Sequence, residues 1–274
     1  MSDGRALARA YLEQQRLLGT DAVPLPPSGE SPVDPGVSPG VRPESGVRPG
    51  PGPTDRIPAS KAPAQPKAEL PPAGLSYDPP ARDLFAADPL QQVMTLAQVA
   101  ELVAPCTRCR LCEARNHTVP GEGPDGARLV CVGEGPGRTE DETGRPFVGQ
   151  AGELLTKILA AIGLAREQVY ICNVVKCRPP QNRTPQYDEI AACVPYLYRQ
   201  LEILKPKVIL AMGNTAAQTL LNTKQSLGAL RVKVHRFRGI PVIVTYHPAA
   251  LLRNPNWKKP TWDDVRIAHR LLDG

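Results

Sequence analysis

From Thr95 onward, short apolar runs alternate with stretches whose apolar positions recur every three to four residues. ARLVCVG (127–133), QVYICNVV (168–175), KVILAMG (207–213) and PVIVTYH (241–247) are the apolar runs. They are short and bounded by polar or Gly/Pro residues, so they read as buried strands. TLAQVAELV, AGELLTKILAAIGL, PQYDEIAACVPYLYRQLEILK, NTAAQTLLN and TWDDVRIAHRLL have helical spacing. Strand–helix alternation predicts an α/β fold, a mostly parallel sheet with helices on both faces. Ligands of such sheets sit beyond the carboxyl ends of the strands. Three runs lead there into polar or Gly-rich turns, GEGPG, NVVKCRPPQN and HPAALLRNP, which predicts one shared pocket.

The first third of the chain follows another pattern. Residues 1–19 read as a short amphipathic helix, with Ala6, Leu7, Ala10, Tyr11, Leu17 and Leu18 at helical spacing. Residues 20–94 hold most of the proline: 17 of the 32 prolines fall between Val23 and Ala81. VDPGVSPGVRPESGVRPGPGP is close to a low-complexity repeat, too poor in apolar surface to offset chain entropy, and is expected to be disordered. A coil of about 60 residues would span roughly 40–50 Å. The expected division is a helix (1–19), a linker (20–94) and a globular domain (95–274). No apolar run reaches membrane-spanning length, and the N-terminus lacks a signal-peptide pattern, so a cytoplasmic protein is expected. Charge separates the same parts. Residues 1–94 carry nine Lys/Arg against eleven Asp/Glu, whereas residues 95–274 carry 24 against 16. The basic excess lies on the globular part and suits a polyanion partner.

Seven cysteines in a chain without a signal argue against a disulfide framework. Cys106 and Cys109 form a C-x2-C pair, and Cys177 and Cys193 follow downstream. Four thiolates suit either tetrahedral zinc or an iron–sulfur cluster, and spacing does not choose between them. Cys131 and Cys172 lie inside apolar runs and read as buried small residues; Cys112 has no second partner.

CTRCRLCEAR, VGEGPGRTEDETGRPFVGQAGELL, YICNVVKCRPPQNRTP, AAC and YHPAALLRNP together resemble the family 4 uracil-DNA glycosylases, iron–sulfur enzymes of bacteria and archaea. The resemblance spans roughly residues 100–272. It implies a three-layer α/β/α fold around a four-stranded parallel sheet, a [4Fe–4S] cluster on Cys106, Cys109, Cys177 and Cys193, and removal of uracil from DNA by base excision. Uracil shows an N3–H donor beside an O4 acceptor, and cytosine shows the reverse. One oriented carboxamide can accept the first and refuse the second. Asn173 matches the family's uracil-reading Asn, Phe147 its stacking aromatic, and Asn182 another pocket residue. His247 fits the donor to uracil O2, worth roughly 3–4 kcal/mol by analogy with oxyanion donors. Glu134 and Glu140 are candidates for the carboxylate beneath the sugar; Glu134 is favoured, and Glu140 with Asp141 could instead cap the following segment. Better-known relatives have an Asp where this chain has Gly135.

The resemblance also implies a minor-groove wedge with Leu251, Leu252 and Arg253 at its tip. Lys176, Arg178, Arg183, Arg145, Lys258 and Lys259 are candidate phosphate contacts. The expected partner is uracil-containing DNA, single- or double-stranded, met by a monomer. Gln14-Gln15-Arg16-Leu17-Leu18 also resembles a sliding-clamp peptide on a tether, although a loosely docked helix accounts for the same residues. Two rivals remain. A uracil-binding relative without turnover would carry a basic, His-containing insertion after Lys176-Cys177, which this chain lacks. An iron–sulfur redox protein would leave the His-Pro motif and the basic face unexplained.

Overall fold

The computed structural model describes residues 70–79 and 89–273. The predicted N-terminal helix, its Gln14–Leu18 motif and residues 20–69 lie outside the described residues. In chain order the elements are β1 (Ala73–Tyr77), α1 (Leu96–Val103), β2 (Leu129–Gly133), α2 (Arg138–Thr143), α3 (Gln150–Ala161), β3 (Tyr170–Asn173), α4 (Tyr187–Leu204), β4 (Val208–Met212), α5 (Asn214–Leu221), α6 (Leu227–Leu230), β5 (Val234–Phe237), β6 (Ile240–Thr245), α7 (Pro248–Arg253) and α8 (Lys258–Asp273). No helix among the described residues is long and apolar enough to cross a membrane.

One sheet of six strands runs in the order β1-β5-β6-β4-β2-β3. Its four-stranded parallel part, β6-β4-β2-β3, is built from the four apolar runs. Alternation along each strand divides the core. Val130, Val132, Ile209, Ala211, Val242 and Val244 face α1, α4 and α5, whereas Leu129, Cys131, Leu210, Met212 and Ile243 face α3 and α8. All are buried, so these strands lack the polar alternation of a half-exposed sheet.

The expected four strands become six. The hairpin β5–β6 turns on Arg238 and Gly239, both in the left-handed region (φ 48° and 77°), the geometry of a tight type I′ turn. β1 then pairs parallel to β5, so the linker expected over 20–94 ends earlier than Thr95. Residues 73–77 are sheet, and Leu90 and Val93 are buried in the core beside α1 and α4. His235 supplies the physical reason. It is buried, its Nδ1 accepts from the Leu75 amide (2.9 Å), and its Nε2 therefore carries the hydrogen given to the Leu230 carbonyl (2.6 Å). Gly74 lies flat against this ring; a Cβ there would sit 2.4 Å from it.

Candidate active site

The carboxyl ends of β2, β3, β4 and β6 open into a cavity of about 950 Å³. The three turns expected to share a pocket all contribute to it, through Glu134 and Gly135, through Pro179 and Asn182, and through His247 and Ala249. α5 and α7 begin at its wall, which Asn214 and the α7 cap His247 line.

Asn173 ends β3 opposite Gly133, its register partner on β2. Its side chain is buried, yet neither Oδ1 nor Nδ2 has a hydrogen-bond partner. A buried, unmade pair of this kind costs about 1–3 kcal/mol for each group, so it has to be explained. Gly133 lets the carboxamide stand there: a Cβ at Gly133 would lie 2.4 Å from Asn173 Oδ1 and 2.5 Å from the Phe147 ring. The Asn173 carbonyl accepts from the buried Lys176 ammonium (2.8 Å), which also reaches Gln200 Oε1 (2.7 Å). Lys176 is therefore removed from the phosphate-contact set. Burial lowers its pKa, and its charge is spent inside the domain.

Phe147 is buried on the cavity wall with φ 51°, a costly conformation for a bulky residue. Its loop is held from two sides. Arg166 donates to the carbonyls of Pro146 and Phe147 (2.6 and 2.9 Å), and Glu140 Oε1 accepts from the amides of Val148 and Gly149 (both 2.9 Å). Glu140 Oε2 accepts from the Gly137 amide (3.1 Å). The Glu140 carboxylate thus clasps three backbone amides and joins the GEGPG turn to the Phe147 loop. Glu134 lines the cavity differently, and its Oε2 accepts from the Thr215 hydroxyl at 2.5 Å. Thr215 and Arg166 were missed from the sequence. Nothing in NTAAQ or REQ marks them, because each acts on a residue remote in the chain.

His247 caps α7. Its Nδ1 accepts from the Ala249 amide (3.2 Å), so in the neutral ring Nε2 carries the hydrogen. Burial, and Arg253 nearby, push its pKa down to about 4 despite Glu140. The imidazole is neutral at pH 7, and its ring lies 5.4 Å from the Phe147 ring, centroid to centroid.

The expected wedge is divided by the helix it forms. Leu251 is buried in the core beneath α7, while Leu252 and Arg253 are exposed. Three consecutive helical residues cannot share one face, so Leu251 packs and leaves the tip to its neighbours. Arg183 and Arg145 pair with Glu189 and Glu122, and Arg178 donates to Asn182 Oδ1 (2.7 Å). Asn182 lines the cavity as an exposed residue with φ 56°.

Cys106, Cys109, Cys177 and Cys193 line one small pocket together with Val103 and Tyr196. Arg115 donates to Cys177 Sγ and the Lys176 amide to Cys193 Sγ, both at 3.2 Å. Burial holds these two thiols above their ordinary range, Cys193 at about 12. Cys112 lies outside the pocket, and Cys131 and Cys172 are buried in the two halves of the core. Among the described residues no group of three or more His, Cys, Asp or Glu side chains forms a site for a metal ion. Four thiols, two of them receiving N–H donors, nevertheless form a donor set that suits a sulfur-ligated group.

Comparison with known proteins agrees with this geometry. Residues 120–267, more than half of the chain, match the model of the uracil DNA glycosylase superfamily. A type-4 uracil-DNA glycosylase of Thermotoga maritima is 51% identical over 164 residues, which cover 57% of this chain and 82% of that protein. One from Pyrobaculum aerophilum is 47% identical over 170 residues, 59% and 87% of the two chains. A type-5 uracil-DNA glycosylase of the same organism is 31% identical over 176 residues, 57% and 76%. With its fold, its strand-end cavity and these relatives, the chain belongs to the uracil-DNA glycosylase superfamily, in the type-4 group.

Proposed function

We infer that the protein excises uracil from DNA by hydrolysing its N-glycosidic bond, leaving an abasic site. The carrying observation is the unpartnered Asn173 carboxamide at the cavity. Uracil entering edge-on gives N3–H to Oδ1 and takes Nδ2–H at O4. Cytosine would set donor against donor and acceptor against acceptor. Such a site rejects the wrong partner strongly, because it leaves buried polar groups unpaired.

The base must leave the helix to reach this wall, which costs a few kcal/mol of unstacking. Leu252 and Arg253 at the α7 tip are suited to fill the gap it leaves, and Phe147 offers a face on which the base can stack. As the bond lengthens, negative charge gathers on uracil. His247 Nε2–H then donates to O2, a contact strongest in the transition state and worth roughly 3–4 kcal/mol. A neutral imidazole can serve as that donor, because Nδ1 accepts from the Ala249 amide and leaves the ring's one hydrogen on Nε2. Glu134 orients the water that attacks the sugar and balances the positive charge there, with Thr215 fixing the carboxylate. Glu140 acts through the Phe147 loop as a positioning residue.

Cys106, Cys109, Cys177 and Cys193 would hold a [4Fe–4S] cluster, whose chemistry here is to tie the loop around Cys106 to the exit of β3 and to α4. The protein acts as a monomer, and the N-terminal arm adds at most a weak clamp contact. Incubation with single- and double-stranded oligonucleotides bearing one uracil should yield abasic sites. Tight binding without release of uracil would replace this reading with that of a uracil sensor. Purified protein should be brown and contain iron; a colourless zinc protein would overturn the cluster assignment.

A further inference from the structure

We propose that Trp257 is a stacking platform for the base beside the extruded uridine, a second nucleobase subsite that favours single-stranded DNA. The proposal rests on the uracil-excision reading. The cavity has room for far more than one pyrimidine, and Phe147 and Asn173 occupy only part of its wall. Trp257 lines it too and remains 36% exposed.

This indole is ordered in advance. It stacks on Tyr246 with centroids 4.7 Å apart and planes 6° from parallel. Tyr246 also carries the Arg231 guanidinium, 4.6 Å from its centroid, and Arg231 is itself fixed by Asp264 (2.7 Å) and the Pro260 carbonyl (2.9 Å). The Trp257 backbone is held on both sides. Its amide donates to the Asn254 carbonyl (3.2 Å) and its carbonyl accepts from Thr261 Oγ1 (2.8 Å). A ring fixed in this way loses little rotamer freedom when a base lands on it. Arg253 and Lys224 line the same cavity and supply positive charge for the connecting phosphates. Packing on Tyr246 accounts for one face of the indole and leaves the exposed surface unexplained. A π-face binds any base, and a base in single-stranded DNA has no competing partner, whereas a duplex base keeps its own stack.

The test uses single-stranded oligonucleotides with one uracil, flanked either by normal nucleotides or by tetrahydrofuran abasic residues. On the normal substrate Trp257→Ala should raise KM about tenfold with kcat nearly unchanged, and Trp257→Phe should restore most of the loss. On the abasic-flanked substrate wild type and Trp257→Ala should be equal. An equal loss on both substrates would assign Trp257 to support of Tyr246 and overturn the proposal, as would no loss on either. The chain has two tryptophans, so Trp262→Phe isolates Trp257 fluorescence. Binding of a single strand carrying 2′-fluoro-2′-deoxyuridine should quench it, and unchanged emission would refute stacking. Should no substrate release uracil, the excision reading fails, while quenching still decides the stacking.

Discussion

Replacing Asn173 by leucine should make the protein more stable and nearly inactive. The carboxamide is buried with both polar atoms unpaired, at a cost of about 1–3 kcal/mol each. Leucine has nearly the same branching and no polar atom, so it removes that cost. Gly133 and the Phe147 ring approach closely, and crowding takes back part of the gain. The net gain should be about 1–3 kcal/mol, or roughly 2–10 °C in Tm for a domain of this size. Excision loses two hydrogen bonds and leaves uracil's own groups unpaired. That amounts to about 2–6 kcal/mol, a fall of roughly 30- to 10⁴-fold in kcat/KM. Thermal unfolding followed by circular dichroism, beside oligonucleotide kinetics, measures both. Millimolar uracil should raise the Tm of wild type but not that of the variant. A variant that melts below wild type would refute the reasoning, since the amide would then be satisfied in the resting protein.

His247→Ala should lower kcat about 10²- to 10³-fold with the fold intact. Because the His247 pKa lies near 4 in the folded chain and about 6.5 unfolded, the unfolded chain takes up the proton first. Stability is then full above pH 6.5 and falls as pH drops toward 4, and no His247 step should appear in kcat/KM between pH 6 and 8. Leu251→Ala should cost about 2–5 kcal/mol of stability, while Leu252→Ala should leave stability unchanged and weaken excision from duplex more than from single strands. Glu134→Gln should lower kcat and spare Tm; Glu140→Ala should lower Tm and raise KM as the Phe147 loop slackens. Removing residues 1–69 should leave activity on short oligonucleotides intact, whereas removal of 1–80 also deletes β1, bares the β5 edge and should lower Tm.

The parallel part of the sheet was legible because each of its strands is buried on both faces and so writes an uninterrupted apolar run. β5 and β1 write no such run. His235 and Arg236 interrupt the first, and β1 is AGLSY, set between Pro72 and Pro79 in a stretch whose composition argues for disorder. The Arg238-Gly239 turn was the available local signal for the hairpin. Motifs located the cavity residues, but spacing alone did not settle which way they point. Lys176 looked like a surface cation, and Leu251 shared a run with Leu252. In both cases a partner far along the chain, or the helix period itself, decides the orientation. The sequence favoured Glu134 and left Glu140 as a candidate cap of the following segment, and the three amides around Glu140 show a carboxylate bound to backbone.

The five residues from Asn173 to Cys177 connect the two sites. Hydrogen bonds hold the three middle residues of this stretch. The Val174 amide donates to the Gly133 carbonyl (2.9 Å) and the Val175 amide to the Glu134 carbonyl (3.1 Å). The Lys176 amide donates to Cys193 Sγ, and the Lys176 carbonyl accepts from the Val119 amide (2.7 Å). The Lys176 ammonium then returns to the Asn173 carbonyl. Val174 and Val175 are fully buried, so the segment has little room to shift sideways. If Asn173 tells uracil from cytosine, as proposed above, its backbone has to be held to a fraction of an ångström. The four-cysteine pocket begins at the far end of that same short segment, with Cys177 four residues from Asn173 and the Cys193 thiol accepting from the Lys176 amide between them.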